Sequence, residues 1–244
     1  MATMRTSSIT THINSQIATW QKQREKVDHA PRKAVPVRPS GPFVTVSREY
    51  GCGGFDVAEK TAEIINKERR PSPLWVAYDR AILDAMMQDL GLSSSLLETL
   101  TSPARKQIDN FLQTALSELP PQVVVYRSLA ETVRTLATNG NVIIVGRAGR
   151  AITRGMERGY HVRIVAPLEW RVERIAGLSG LTRKEAEKMI LEKGRSREDF
   201  LRRFVKFKSG DPSDYHLVVN NAEHGMDGAA RMIVAGLSTM GCLD

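Results

Sequence analysis

Cysteine is nearly missing from this chain: only Cys52 and Cys242 occur in 244 residues, too few for a disulfide framework or a cysteine zinc site. Each is expected to fill space, Cys52 inside a glycine-rich turn and Cys242 beside the C-terminus. The histidines His12, His29, His161, His216 and His224 are scattered, without the spacing of metal ligands. No apolar run approaches the roughly 18 residues that a membrane span needs. The opening residues Met1 to Ser8 also lack the apolar core of a secretory signal, so a cytoplasmic protein without membrane partners is expected. Ser47 ends an apolar run, but no Gly-x-Ser-x-Gly elbow surrounds it, and a hydrolase is set aside.

Acidic residues are also in deficit. The 35 lysines and arginines outnumber 27 acids, giving a formal charge of +8 and implying an anionic partner, either nucleic acid or a phosphorylated small molecule. The densest basic stretch, Lys193 to Lys208, carries Phe200, Phe204 and Phe207 at helical spacing. That pattern describes the core face of a helix and not a platform for stacking bases, so the small molecule is favoured.

Residues 1 to 41 read as a polar leader containing Pro31, Pro36 and Pro39. Within it Ile9, Ile13, Ile17 and Trp20 recur at four- and three-residue steps, which predicts an amphipathic helix from about Ser8 to Val27. The helix could dock on the main body or join two copies of the chain. A linker over Lys22 to Pro42 would then lead into a single domain over 42–244.

That domain alternates strands with helices, the pattern of an α/β fold with a parallel sheet flanked on both faces. Strands are expected at Phe43–Ser47, Leu74–Tyr78, Asn141–Gly146, His161–Ala166 and Tyr215–Asn220. Helices are expected at Asp56–Lys67, Arg80–Leu90, Arg105–Glu118, Gln122–Thr138, Leu168–Ile175, Arg183–Glu192, Ser196–Phe207 and Met226–Leu237. The helical stretch between the second and third strands spans about sixty residues, too long for a plain crossover. It suits a substrate-binding insertion.

The first strand empties into Ser47-Arg48-Glu49-Tyr50-Gly51-Cys52-Gly53-Gly54 ahead of a helix, which is how phosphate-binding loops begin. The usual nucleoside-triphosphate loop continues with a lysine and a hydroxyl; here Gly54 and Phe55 stand in those places. Ligands of parallel sheets bind beyond the carboxyl ends of the strands, where Arg48, Asp79-Arg80, Arg147 within Gly146-Arg147-Ala148-Gly149-Arg150, Arg171 and Arg174 fall. One acid among several arginines suits a magnesium–polyphosphate ligand. Arg48 could replace the missing lysine or pair with Glu49, and Asp79 could cap a helix as well as serve a metal.

With Tyr78-Asp79-Arg80-Ala81-Ile82-Leu83, Val145-Gly146-Arg147-Ala148, Arg197-Glu198-Asp199-Phe200-Leu201-Arg202-Arg203-Phe204 and Asp211-Pro212-Ser213-Asp214-Tyr215-His216-Leu217-Val218-Val219-Asn220 added to the loop, the chain resembles the bacterial cytidylate kinase-like proteins over about 42–238. The resemblance implies a three-layer P-loop kinase fold, a five-stranded parallel sheet with a helical monophosphate-binding insertion (about 80–138) and an arginine-bearing lid (about 178–210). It implies phosphoryl transfer from ATP, with Mg2+, to CMP or dCMP, or else a nucleotide-binding regulatory module of weak or no activity. Ser47, Gly51, Cys52, Gly53, Gly54, Phe55 and Arg195 would then bind the nucleotide, and Arg48, Asp79, Arg147, Arg197 and Arg203 would act in transfer, Asp79 meeting the metal through water. Arg147 would grip the monophosphate, and Arg202 is a further lid candidate. The family tends to lack the loop lysine; the aspartate that follows the gripping arginine in true cytidylate kinases is Ala148 here.

Overall fold

Runs of valine and isoleucine supply the strands, and the side chains between them decide which layer each face meets. The strands are β1 (Phe43–Arg48), β2 (Val76–Tyr78), β3 (Val142–Val145), β4 (Gly159–Val165) and β5 (Leu217–Asn220). In the computed structural model, which describes residues 2–28, 41–116, 124–146 and 148–243, they form one parallel sheet in the order β2-β3-β1-β4-β5. β1 sits at the centre, its first four residues buried, so whatever follows it emerges at the middle of the sheet's carboxyl edge.

Alternation along the strands divides the core in two. Val44 and Val46 of β1, Ile143 and Val145 of β3, and Val162 and Ile164 of β4 face α2 (Gly54–Arg69) and α10 (Asn221–Thr239), where Val57, Ile65, Ile233 and Leu237 are fully buried. Phe43, Val142 and Ile144 face the other way, toward the helices that link β2 to β3. The result is the expected three-layer α/β arrangement of a five-stranded parallel sheet between helices.

Among the described residues the β2–β3 connection holds four helices: α3 (Arg80–Gln88), α4 (Leu90–Glu98), α5 (Ser102–Leu116) and α6 (Val124–Asn139). Only three were expected. α4 contains Gly91 and three serines, which weaken helix propensity, but Asp89 caps it through Leu92 N at 3.0 Å and its Leu96 is buried against the insertion core. α7 (Gly149–Ile152), a single turn after β3, was also not expected.

Beyond β4 come α8 (Leu168–Ser179) and α9 (Arg183–Phe200). The two helices expected over 183–207 are one, opened by a Thr182–Glu185 capping box and closed by a π turn at Leu201–Val205. At the other end of the chain, α1 (Ala2–Asp28) packs on the body of the molecule. Ile13, Ile17 and Trp20 are buried in the same core as Tyr78 and Leu83. The side chain of Ile9 and the backbone of 29–40 lie outside the described residues. No helix among the described residues is long and apolar enough to cross a membrane.

Candidate active site

Because all strands run the same way, their carboxyl ends meet along one edge, and there a cavity of about 330 Å³ opens. Ser47 and Arg48 from the end of β1, Gly146 after β3 and Arg163 of β4 form its floor. Arg80 at the start of α3 and Arg150 of α7 flank it, while Arg197, Glu198, Phe200 and Leu201 come down from α9 and its π turn. Five arginines and one carboxylate thus face one space, with an apolar wall completed by Phe207.

Arg48 is central to that space. A Cβ placed on Gly54 would sit 3.0 Å from both Cβ and Cγ of Arg48, and one on Gly146 would overlap the Arg48 guanidinium. The arginine stem therefore crosses the first residue of α2, and its head lies over the end of β3. Glycine at 54 leaves room for that stem, so the missing lysine and the nearby arginine are parts of one arrangement. α2 begins at Gly54 with no side-chain cap, which leaves N–H groups at its positive end beside this cation.

The glycine loop itself faces away from the cavity more than expected. Gly51 (φ +90°) and Gly53 (φ +75°) adopt left-handed conformations, and added Cβ atoms would meet Arg171 and Ile175 of α8 or Met226 and Asn221 of α10 at 3.0–3.2 Å. Cys52 is buried; its thiol donates to the carbonyls of Glu49 and Ile164, and burial pushes its pKa up to about 11. It is packing material. Phe55 packs against the α2–α10 core and does not line the cavity.

Two ion pairs brace the loop from α8. Arg171 donates to the Ala166 carbonyl at 2.9 Å and lies 3.7 Å from Glu49, whose carboxylate accepts from Ala166 N. Arg174 pairs with Asp56 at 2.5 Å. Of the acids near the loop, Asp79 caps α3, its Oδ1 accepting from Ile82 N at 2.9 Å. No group of three or more His, Cys, Asp or Glu residues that could hold a metal occurs among the described residues.

The expected lid residues separate in space. Arg197 lies with its guanidinium 4.9 Å from the centre of the Tyr50 ring, and burial draws its pKa down, with the positive charge of Arg80 adding to that effect. Arg195 and Arg203 are exposed and do not line the cavity, and Arg202 pairs with Asp199 at 2.7 Å. Arg147 lies outside the described residues.

Of the cavity arginines, Arg80 and Arg150 fall at the expected carboxyl ends without an assigned role, and Arg163 was missed. Arg163 carried a signal, since a charge inside an otherwise apolar strand is unusual. Arg150 carried one through its place just after β3, but the four-residue helical turn that presents it was not expected.

No curated protein matches this chain. Among solved structures, an uncharacterized protein from Eubacterium ventriosum aligns with a TM-score of 0.63 at 20% identity, over 82% of this chain and 99% of that one, a likeness of fold. Shikimate kinase from Bacteroides thetaiotaomicron (TM-score 0.40, 13% identity) and TT1252 from Thermus thermophilus (0.37, 18%) each cover 82% of this chain, and 95% and 98% of their own. Residues 43–223, from the first residue of β1 to beyond β5, match the cytidylate kinase-like family, and the chain belongs to that family.

Proposed function

We propose that this chain transfers the γ-phosphoryl group of ATP to a nucleoside monophosphate, CMP or dCMP, with Arg48 in the role usually given to the loop lysine. The position of Arg48 carries the proposal: its stem lies on Gly54, where the lysine would stand, and its guanidinium faces the cavity. Phosphoryl transfer needs positioning and charge neutralisation more than covalent help from the protein, and a planar guanidinium offers two parallel donors to phosphate oxygens. Arg197, above the loop on Tyr50, is placed to add a second cation from the lid side.

Magnesium brought with ATP would neutralise phosphate charge, and the surrounding side chains fit it only sparsely. Asp79, the carboxylate that the family resemblance would set on its water shell, does not line the cavity and has one oxygen engaged in capping α3; this ion keeps most of its waters and takes one or two protein carboxylates. Glu49 and Asp56 are already engaged by Arg171 and Arg174. That engagement favours a second reading, a module that binds nucleotide without turning it over.

A phosphoryl-transfer screen separates the two. Purified protein with ATP, Mg2+ and a panel of monophosphates should form CDP or dCDP, with Arg48→Ala, Asp79→Ala and Arg147→Ala as controls. Binding without product across the panel would establish the regulatory module, and equal activity in all four proteins would mean that the site lies elsewhere.

A further inference from the structure

We propose that Arg163, on the floor of the cavity, together with Arg150, forms an anion subsite that holds a phosphate monoester group of the acceptor. This rests on the phosphoryl-transfer function proposed above and assigns residues to its second substrate.

Arg163 lies on a strand whose neighbouring side chains, Val162 and Ile164, are fully buried. It is paired in register with Ser47 of β1, and both line the cavity. Arg163 itself is half-buried near the carboxyl end of β4, where it lines the cavity, and a guanidinium so placed is commonly matched by a carboxylate. Arg163 has none: among the described residues no acid lies within 4.0 Å, and its one aromatic contact is the Tyr215 ring at 5.8 Å. Its charge is thus available to something that enters the cavity.

Arg150 reaches the same space from α7 and is held in place. Its Nε donates to the Asp214 carbonyl at 2.5 Å, and Nη2 lies 3.6 Å from the Asp214 carboxylate. The backbone of α7 is fixed in turn by Arg134, whose Nη1 donates to the Ile152 carbonyl at 2.7 Å. A positioned guanidinium and an unmatched one lining the same cavity offer paired donors of the kind that phosphate oxygens accept.

The layer below keeps this charge from growing. His161 and His216 stack at 5.1 Å, His216 Nδ1 accepts from His161 N at 3.0 Å, and His161 Nδ1 meets Thr45 Oγ1 at 2.8 Å. Burial and the nearby Arg150 hold both imidazoles below their ordinary pKa, so the layer stays neutral near pH 7.

Arg197 enters from α9 above Tyr50 and Arg48 from β1, its stem on Gly54 and its guanidinium over Gly146, whereas Arg163 and Arg150 come from β4 and α7. A phosphoryl transfer brings two anionic partners into one space, and Arg163 with Arg150 would hold the acceptor's phosphate while Arg48 and Arg197 meet the donor's. Phe200, Leu201 and Phe207 beside the floor would cover the acceptor's apolar part.

Arg163→Gln separates this role from the loop chemistry. Steady-state kinetics should show the acceptor KM raised about 10- to 100-fold, the loss expected for a charged hydrogen bond, while kcat and the KM for ATP change less than about threefold. Arg163→Lys should recover part of the loss. Calorimetric titration of the intact protein with inorganic phosphate provides a readout that does not depend on turnover: wild type should bind more tightly than Arg163→Gln or Arg150→Gln, each by at least about tenfold. Equal phosphate affinity in all three folded proteins, confirmed by circular dichroism, would overturn the subsite. Phosphate binding that depends on Arg163 in a protein that turns over no nucleotide would retain the subsite and sink the kinase.

Discussion

At the scale of single residues, the site depends on where guanidinium groups sit relative to backbone. Gly54 and Gly146 are small because Arg48 occupies the space above both, so removing the side chain should leave the fold intact while taking a preset charge from the loop. Arg48→Ala is expected to lower kcat by about 10²- to 10³-fold, as for other deleted transition-state donors. A kcat within a factor of about three of wild type would mean that the loop charge comes from another group. The sequence made Arg48 visible as a cation at the end of a strand, but not that its stem would lie on Gly54. Arg150 and Arg163 were less visible still, since they become neighbours of Ser47 only through the pairing of β1 with β4 and the turn of α7. Such contacts join residues more than a hundred positions apart, and local periodicity carries no trace of them.

A second prediction at this scale concerns His161. Its imidazole is buried and its pKa falls from 6.5 to about 3, chiefly through burial. The unfolded chain therefore binds a proton between those values that the folded chain refuses. The stabilisation is complete above about pH 6.5 and declines as pH falls toward 3, amounting to a loss of about 2 kcal/mol by pH 5. Urea unfolding near pH 7.5 and pH 5 should show this loss in wild type and a smaller one in His161→Gln. The same pH response in both proteins would assign the acid sensitivity to other groups.

At the scale of elements, sequence patterning located all five strands to within a few residues because each is a short apolar run between turns. It was weaker for helices whose formation depends on packing. The serine-rich α4 went unseen, and the break placed near residue 194 does not exist, because α9 runs through Gly194 to its π turn. That continuous helix has a mechanical consequence. Its two described contacts with the glycine loop both use Tyr50: the ring lies under Arg197, and the hydroxyl meets Met189 Sδ at 3.6 Å. Tyr50→Ala should remove about 0.5–1 kcal/mol of cation–π attraction and loosen α9 from the loop. Amide exchange over 183–200 should accelerate several-fold while that of α2 and α10 stays unchanged. Unaltered exchange in α9 would show that its packing on α8 alone fixes the helix.

At the scale of the molecule, the question is whether α1 is a detachable leader or part of the fold. Its periodicity was legible, but its partner was not, since four apolar residues on one face fit a second subunit as well as the parent domain. The structure places Ile13, Ile17 and Trp20 of that face on the domain, and a polar residue fixes how the helix lies. Gln16, 1% exposed, donates from Nε2 to the carbonyls of Leu74 at 2.7 Å and Asn141 at 3.0 Å, and its Oε1 accepts from the Tyr78 hydroxyl at 2.5 Å. Leu74 and Asn141 precede β2 and β3, so one side chain joins α1 to the amino ends of two adjacent strands. Gln16→Ala would leave the Tyr78 hydroxyl and two carbonyls without these partners, at a cost of about 1–3 kcal/mol for each group that water does not reach. Trp20→Ala, which empties a site 2% exposed, should cost about 3–5 kcal/mol. If α1 is part of one cooperative unit, both variants will lower the urea midpoint of a single transition followed by far-UV circular dichroism and by tryptophan fluorescence from Trp75, which lies in the core on the opposite face of the sheet. A separate early transition, with the main midpoint unmoved, would instead make α1 an appendage, and its buried face would then be available for pairing with a second copy of the chain.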